Sequence, residues 1–452
     1  MPERNAGTMK LGMFYWPVGH HLAAWRHPEA TADAGANMAH LIEVAKLAER
    51  GLFDLFFMAD SVTFWRGDYE AMLRDSYGAN IEPFSLMVAL SQHTRHLGLV
   101  CTATTSFEQP YSLARRFASL DVASGGRAGW NLITSSNRKE ADSFGADDLA
   151  PKTERYARAK EFAHIVRGLW NSFGDGAFLR NKASGVFLDR DKLNILDHHG
   201  AFFRVRGPLN VPSSPQGEPV MVQAGASEAG RELAAEMAEV IFGAQQVLGD
   251  AQAFYADVKG RMAAYGRVPD DLKILPGLLV YVGRTRAEAE AKFEAMQDLI
   301  DDKTGIESLS KRLDFDLTGY DPDSPPPEVE HDAVTASQAG MFLDIARREN
   351  YTIRELWRHI AGTRGHLQTA GSPTDVADFM EEWFTTKGCD GFNVMVPMFP
   401  QDLNDFVTLV VPELQRRGLF RKAYEGTTLR ANLGLERPRW PSGKVQTEAA
   451  AE

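Results

Sequence analysis

Apolar residues recur along this chain in two alternating rhythms. Short runs that are apolar almost throughout alternate with longer stretches in which apolar positions return every three or four residues. The short runs cover 9–15, 53–59, 97–104, 130–133, 219–224, 240–243, 272–282 and 391–396. A run apolar at nearly every position suits a strand covered on both faces, as in a parallel sheet. The stretches between them predict amphipathic helices. Residues 37–50 place Met38, Leu41, Ile42, Ala45 and Ala48 on one face, and 152–170 place Ala159, Phe162, Ala163, Val166 and Leu169 on another. Gly51 closes the first of these, Gly125 ends a helix over 110–123, and Ser372-Pro373-Thr374-Asp375 opens a later one. Eight strand–helix units make an α/β fold, a (β/α)8 TIM barrel, the simplest closure. A doubly wound open sheet is the alternative. It favours Gly-x-Gly-x-x-Gly after the first strand, and that turn is absent.

Two excursions break the alternation within what reads as one domain over 1–452. Residues 178–205 have no helical period, and an insertion with a hairpin is expected. Residues 285–345 are expected to form a second insertion that acts as a lid. It reads as helical at 287–300 and irregular over 304–338, where Asp321-Pro322-Asp323-Ser324-Pro325-Pro326-Pro327 is stiff and solvated. Between the second strand and the next helix lies a polar and aromatic loop with Trp65, Arg66, Tyr69 and Tyr77. The polar residues 442–452 read as a disordered tail.

Composition narrows the chemistry. A net charge of −12 with no basic stripe argues against a nucleic-acid partner. No apolar run approaches the ~20 residues of a membrane span, and no apolar core follows the N-terminal charges. Cys101 and Cys389 sit in or beside apolar runs and read as buried thiols, which fits a cytoplasmic location. No metal-ligand spacing, Walker loop, Gly-x-Ser-x-Gly turn or Cys-x-x-Cys is present. With no metal expected, hard chemistry falls to an organic cofactor.

An α/β barrel displays its chemistry at the C-terminal strand ends. Those ends carry His20 and His21, then Asp60, then Thr104 and Ser106, then Ser135, Ser136 and Asn137, and then Gly225-Ala226-Ser227. Most are short, polar and uncharged, which suits a polar heterocycle and a phosphate. Ser227 precedes a helix over 228–236, so it either caps that helix or offers an anion site, with Arg231 one turn further in. Tyr156 either packs or gives its phenol to the same anion. Asp60, at the end of an apolar strand, needs a donor from a helix start or a ligand.

The stretch Gly126-Arg127-Ala128-Gly129-Trp130-Asn131-Leu132-Ile133-Thr134-Ser135 resembles the fourth-strand motif of flavin-dependent monooxygenases related to nitrilotriacetate monooxygenase component A and dibenzothiophene-sulfone monooxygenase. These belong to the bacterial luciferase-like superfamily. Residues 49–54, 111–120, 155–162, 205–208, 214–219, 223–227 and 426–430 are similar to the same family, so the likeness runs from Lys10 to Leu435. The resemblance implies a barrel that binds reduced FMN (FMNH2) supplied by a separate NAD(P)H:flavin reductase. It implies addition of O2 to the flavin as a C4a-peroxide, oxygenation of a small organic substrate, and a homodimer or homotetramer.

By position in the motifs, Asp60, Thr104, Ser106, Asn131, Ser136, Tyr156, Gly225, Ala226 and Ser227 are implied to bind the cofactor, with Lys152 meeting its phosphate as a cation. Phe14 and Phe57 are implied to line the substrate pocket. His20 is implied to lie near the substrate, with the register against His21 open. Arg312 stands where sulfone-oxidising members carry a histidine. There it would favour an anionic substrate through bidentate contacts, or remain a solvated arginine. A deazaflavin-dependent oxidoreductase and a non-catalytic flavin-binding protein are the two other readings.

Overall fold

In the computed structural model, which describes residues 7–64, 72–73, 76–328, 336–363 and 365–440, all eight apolar runs are strands. They are β1 (Lys10–Tyr15), β2 (Leu55–Met58), β3 (Gly98–Thr104), β4 (Ala128–Ile133), β5 (Val220–Gln223), β6 (Val240–Gly243), β7 (Lys273–Val282) and β8 (Gly391–Met395). Each pairs in parallel with the next, and β8 returns to β1, so the barrel is closed. Trp65, Arg66, Tyr69 and the 442–452 tail lie outside the described residues.

The continuous apolar runs follow from double coverage. Phe14, Leu55, Phe57, Val100, Val222, Val240 and Leu279 fill the interior. Their neighbours Met13, Phe56, Leu99, Trp130, Met221 and Leu278 pack outward against the helices. Leu429 and Leu433, from a short C-terminal helix, belong to the interior cluster.

The base of the barrel is charged in a regular way. One charged residue immediately precedes each even-numbered strand, and each bonds the base of the odd-numbered neighbour. Asp54 accepts from the Leu11 N–H at 2.8 Å, Glu239 from Met221 at 3.0 Å, and Asp390 from Ile274 at 2.8 Å. Arg127 inverts the polarity and donates to the Leu97 carbonyl at 2.8 Å. Each acid has a cation: Arg421 on Asp54, Arg430 on Glu239 and Lys259 on Asp390. Burial is the largest influence on Glu239, yet the charge and hydrogen bonds of Arg430 outweigh it and hold the carboxyl below its ordinary value. At Asp54 burial wins and the carboxyl is raised.

The second excursion departs from expectation. Residues 304–313, expected to be irregular, belong to a helix (Asp302–Leu313). With helices Ala336–Glu349 and Ile353–Thr363 it surrounds a separate core of Ile306, Leu309, Leu313, Phe342, Leu343, Trp357 and Ile360. Its apolar spacing was present, but Gly305 in the first turns weakened the helical signal. Packing requires that glycine, because a Cβ there would collide with the Trp357 ring. A further strand, Leu367–Gly371, pairs in parallel with Leu278–Val282 of β7. Its polar Gln368 and Thr369 concealed it. In the first excursion His198–His199 pair antiparallel with Arg204–Val205.

Glu239→Ala would strip the Met221 N–H of its acceptor and leave Arg430, with its side chain 3% exposed, as an uncompensated charge. The expected loss is about 3–5 kcal/mol in urea unfolding. Glu239→Gln should lose less, because it keeps an acceptor.

Candidate active site

The loops leaving β3 and β4 are stitched together by hydroxyls. The Thr104 and Ser135 hydroxyls are 2.8 Å apart. The Ser106 N–H donates to Thr104 Oγ1 at 3.1 Å, and the Ser135 N–H donates to Ser106 Oγ at 3.2 Å. Thr104 and Ser135 are buried and Ser106 is half-buried. One layer below, Asn131 points into the barrel. Its Nδ2 donates to Thr102 Oγ1 at 2.8 Å, and Thr102 donates to the Met58 carbonyl at 2.9 Å. Asn131 Oδ1 is buried with no hydrogen-bond partner. Ser136 is exposed, and Asn137 caps the short helix Arg138–Ser143. Asp60 is half-buried two residues beyond β2.

On the β5 side, the Tyr156 and Ser227 hydroxyls are 3.2 Å apart. Ser227 caps helix Glu228–Met237 and accepts from the Gly230 N–H at 3.4 Å, a long bond. Gly225 lets the loop lie flat on this helix, since a Cβ there would run into the Gln223 amide and come within 3.2 Å of Gly230 Cα. A phenol, a hydroxyl and a helix N-terminus thus converge beside Gly225 and Ala226, an arrangement suited to a phosphate. Arg231 does not supply the charge expected of it. Its guanidinium bonds Asp257 at 2.7 Å and holds the Ala226 carbonyl at 3.0 Å. Lys152 is exposed at the first position of helix Lys152–Trp170, one turn ahead of Tyr156.

Three phenyl rings form a floor across the mouth. Phe14, Phe57 and Phe242 lie with centroids 5.3, 5.1 and 5.2 Å apart in the three pairs. His20 packs on Phe14 at 4.6 Å and donates Nε2–H to the Phe14 carbonyl at 2.9 Å. His366 stacks on Phe242 at 4.8 Å and 16°. Gly277 makes room for that stack, because a Cβ there would meet His366 Nδ1 at 2.7 Å. Phe14, Phe57 and His20 are therefore brought together as expected. Phe242 and His366 were not foreseen. Phe242 alternates with Val240 on the inward face of β6, so strand period could have found it. His366 lies in a turn after the helical insert, where no periodicity points to it.

His21 faces away from the floor, towards the insert. Its Nδ1 accepts from the Ala23 N–H at 3.3 Å. Its ring lies beside Gly362, where a Cβ would sit 3.2 Å from the Tyr281 hydroxyl and 3.6 Å from the ring. The insert joins the rim here, through Leu22 N–H to the Ala361 carbonyl at 3.0 Å and Gln297 Nε2 to the Arg358 carbonyl at 3.1 Å. Arg312 is half-buried in the last turn of helix Asp302–Leu313.

Among the described residues no group of acids, histidines and cysteines could hold a metal ion, and no helix is long and apolar enough to cross a membrane. Burial lowers His21 and His359 from 6.5 to about 4, although Gln297 beside His21 acts in the opposite direction. A folded-state value below the unfolded one means that the unfolded chain binds more protons between those limits. The contribution of these rings is therefore complete above about 6.5 and lost as pH falls towards 4. The melting temperature should drop over that interval, and His21→Gln should flatten the drop. An unaltered acid slope in this variant would exclude His21 as a source.

The family model for luciferase-like monooxygenases matches residues 17–388. The chain is 47% identical over 440 residues to nitrilotriacetate monooxygenase component A of Aminobacter aminovorans, covering 95% of this chain and 97% of that protein. It is 46% identical over 433 residues to N-acetyl-S-(2-succino)cysteine monooxygenase of Bacillus subtilis (strain 168), again covering 95% and 97%. Among solved structures, EDTA monooxygenase from Chelativorans sp. BNC1 superposes with a TM-score of 0.81 at 31% identity, covering 96% of this chain and all of that one. The closed parallel barrel, its polar rim and the extent of these matches agree, and the chain belongs to the luciferase-like monooxygenase family.

Proposed function

We propose that this protein is the oxygenase of a two-component system. It would take reduced FMN from a separate NAD(P)H:flavin reductase and use O2 to oxygenate a small carboxylate-bearing substrate. The observation that carries this reading is the pairing, on one rim, of the Tyr156–Ser227 helix start with a water-excluding floor of three phenyl rings. The two-part system is suggested by a relative named as a component A, and the substrate class by relatives named for nitrilotriacetate, N-acetyl-S-(2-succino)cysteine and EDTA.

Reduced flavin, when bound, supplies the electrons and the centre at which O2 is activated. The chain's own residues bind, orient and keep dry. Tyr156 and Ser227 would donate to the phosphate at the start of helix Glu228–Met237. Asn131 Oδ1, buried without a donor, fits an N–H of the ring, and Thr104, Ser106 and Ser136 line the loops beside it. Asp60 would accept from the same cofactor. Phe14, Phe57 and Phe242 exclude water from below. His20 donates from Nε2, so its basic lone pair is at Nδ1, the atom at which it would take up a proton. Arg312 on the insert is the proposed counter-charge for the substrate.

Anaerobic titration with FMNH2 tests the cofactor end. Tyr156→Phe should weaken binding about tenfold, the worth of one hydrogen bond to a charged group. Wild-type protein that takes up a reduced deazaflavin but not FMNH2, and consumes no oxygen, would overturn the reading. At the substrate end, Arg312→Ala should raise KM for a polycarboxylate substrate with kcat little altered, when assayed with a generic reductase and NADH for coupled product. Unchanged KM would remove Arg312 from the pocket.

A further inference from the structure

One buried carboxylate at the rim lacks its full set of donors. Glu140 lies in helix Arg138–Ser143 and is only 4% exposed. Its Oε1 accepts from Ser61 Oγ at 2.6 Å, and Ser61 directly follows Asp60. The carboxylate therefore ties the loop leaving β2 to the loop leaving β4. Its other oxygen, Oε2, is buried with no hydrogen-bond partner.

The neighbouring cations on the same helix are engaged elsewhere. Arg138 pairs with Asp148, and Lys139 lies 3.3 Å from Asp142. Asn137 caps this helix, and the acid that Glu140 adds to its first turn would favour the helix start equally well facing solvent. A buried carboxylate oxygen without a donor is costly, and such a cost is retained where a ligand removes it. A phosphate would be repelled by Glu140, and the phosphate-type site at Tyr156 and Ser227 belongs to β5 and its helix.

We propose that Glu140 is a binding residue of the cofactor site. Its Oε2 accepts a hydrogen bond from a neutral O–H or N–H of bound reduced flavin, from either the polyol chain or the ring. Its Oε1 meanwhile holds Ser61, and through it the position of Asp60. This rests on the flavin reading above.

The test is anaerobic titration of the full chain with reduced FMN, riboflavin and lumiflavin, together with the melting temperature of the ligand-free protein. The variants are E140Q, E140A, S61A and, as a reference, Y156F. E140Q keeps an acceptor for Ser61 but turns a donor towards the ligand's donor. It should therefore melt as the wild type does and bind reduced FMN at least tenfold more weakly. E140A should weaken binding similarly without lowering the ligand-free melting temperature, and S61A should weaken it less. The loss should persist with riboflavin, which has no phosphate. With lumiflavin, which has no polyol, a persisting loss assigns the donor to the ring and a vanished loss assigns it to the polyol.

Binding by E140Q within twofold of the wild type, while Y156F is weakened, would overturn the proposal and spare the cofactor reading. A fall in melting temperature in E140A with binding intact in E140Q would reduce Glu140 to a structural tie and overturn it as well. No uptake of reduced flavin by the wild type would overturn both.

Discussion

A strand covered by apolar groups on both faces must satisfy its terminal peptide groups within the fold. This barrel does so at its base with one charged residue ahead of every second strand: Asp54, Arg127, Glu239 and Asp390. Three are acids that accept a neighbouring strand's N–H, and each acid draws a buried or half-buried cation after it. Position ahead of the strand is what matters. From there a side chain reaches sideways to the adjacent strand's first peptide, which has no ladder partner. Interior packing and strand register both depend on these ends being closed.

The rim obeys the opposite rule. Its side chains are mostly hydroxyls, amides, imidazoles and phenyls, with Asp60 half-buried, Arg231 and Glu140 hydrogen-bonded, and Lys152 exposed. At the base each acid has a cation beside it, whereas the rim leaves the acceptors Asn131 Oδ1 and Glu140 Oε2 without partners. A monooxygenase needs this division. The scaffold must not shift when a polar cofactor enters, and the cofactor must find groups that are not already satisfied.

The eight strands were legible because double coverage leaves a continuous apolar run, and helix starts such as Ser372–Asp375 were legible because caps are local. Helix Asp302–Leu313 was not, because the glycine that admits Trp357 also weakens the helical signal. The strand Leu367–Gly371 was hidden by its polar residues. At the site, His20 followed from its position at a strand end together with the family resemblance, and Phe14 and Phe57 from the resemblance alone. Arg231 misled, because its partner Asp257 sits on the next helix and no local pattern reveals it. The pairing of Tyr156 with Ser227 bridges 71 positions; the helix start at Ser227 and the family resemblance placed both at one anion, while residue pattern alone left Tyr156 between packing and binding.

The cations at the base have a consequence for synthesis. Asp54 waits 367 positions for Arg421, and Glu239 waits 191 for Arg430. All eight strands and both of these acids are therefore synthesised before either of these counter-ions. Until then the two carboxylates lack these partners, and a barrel whose base is not yet closed is exposed to aggregation and to chaperones. Contacts this distant in sequence make completion of the charged base slow.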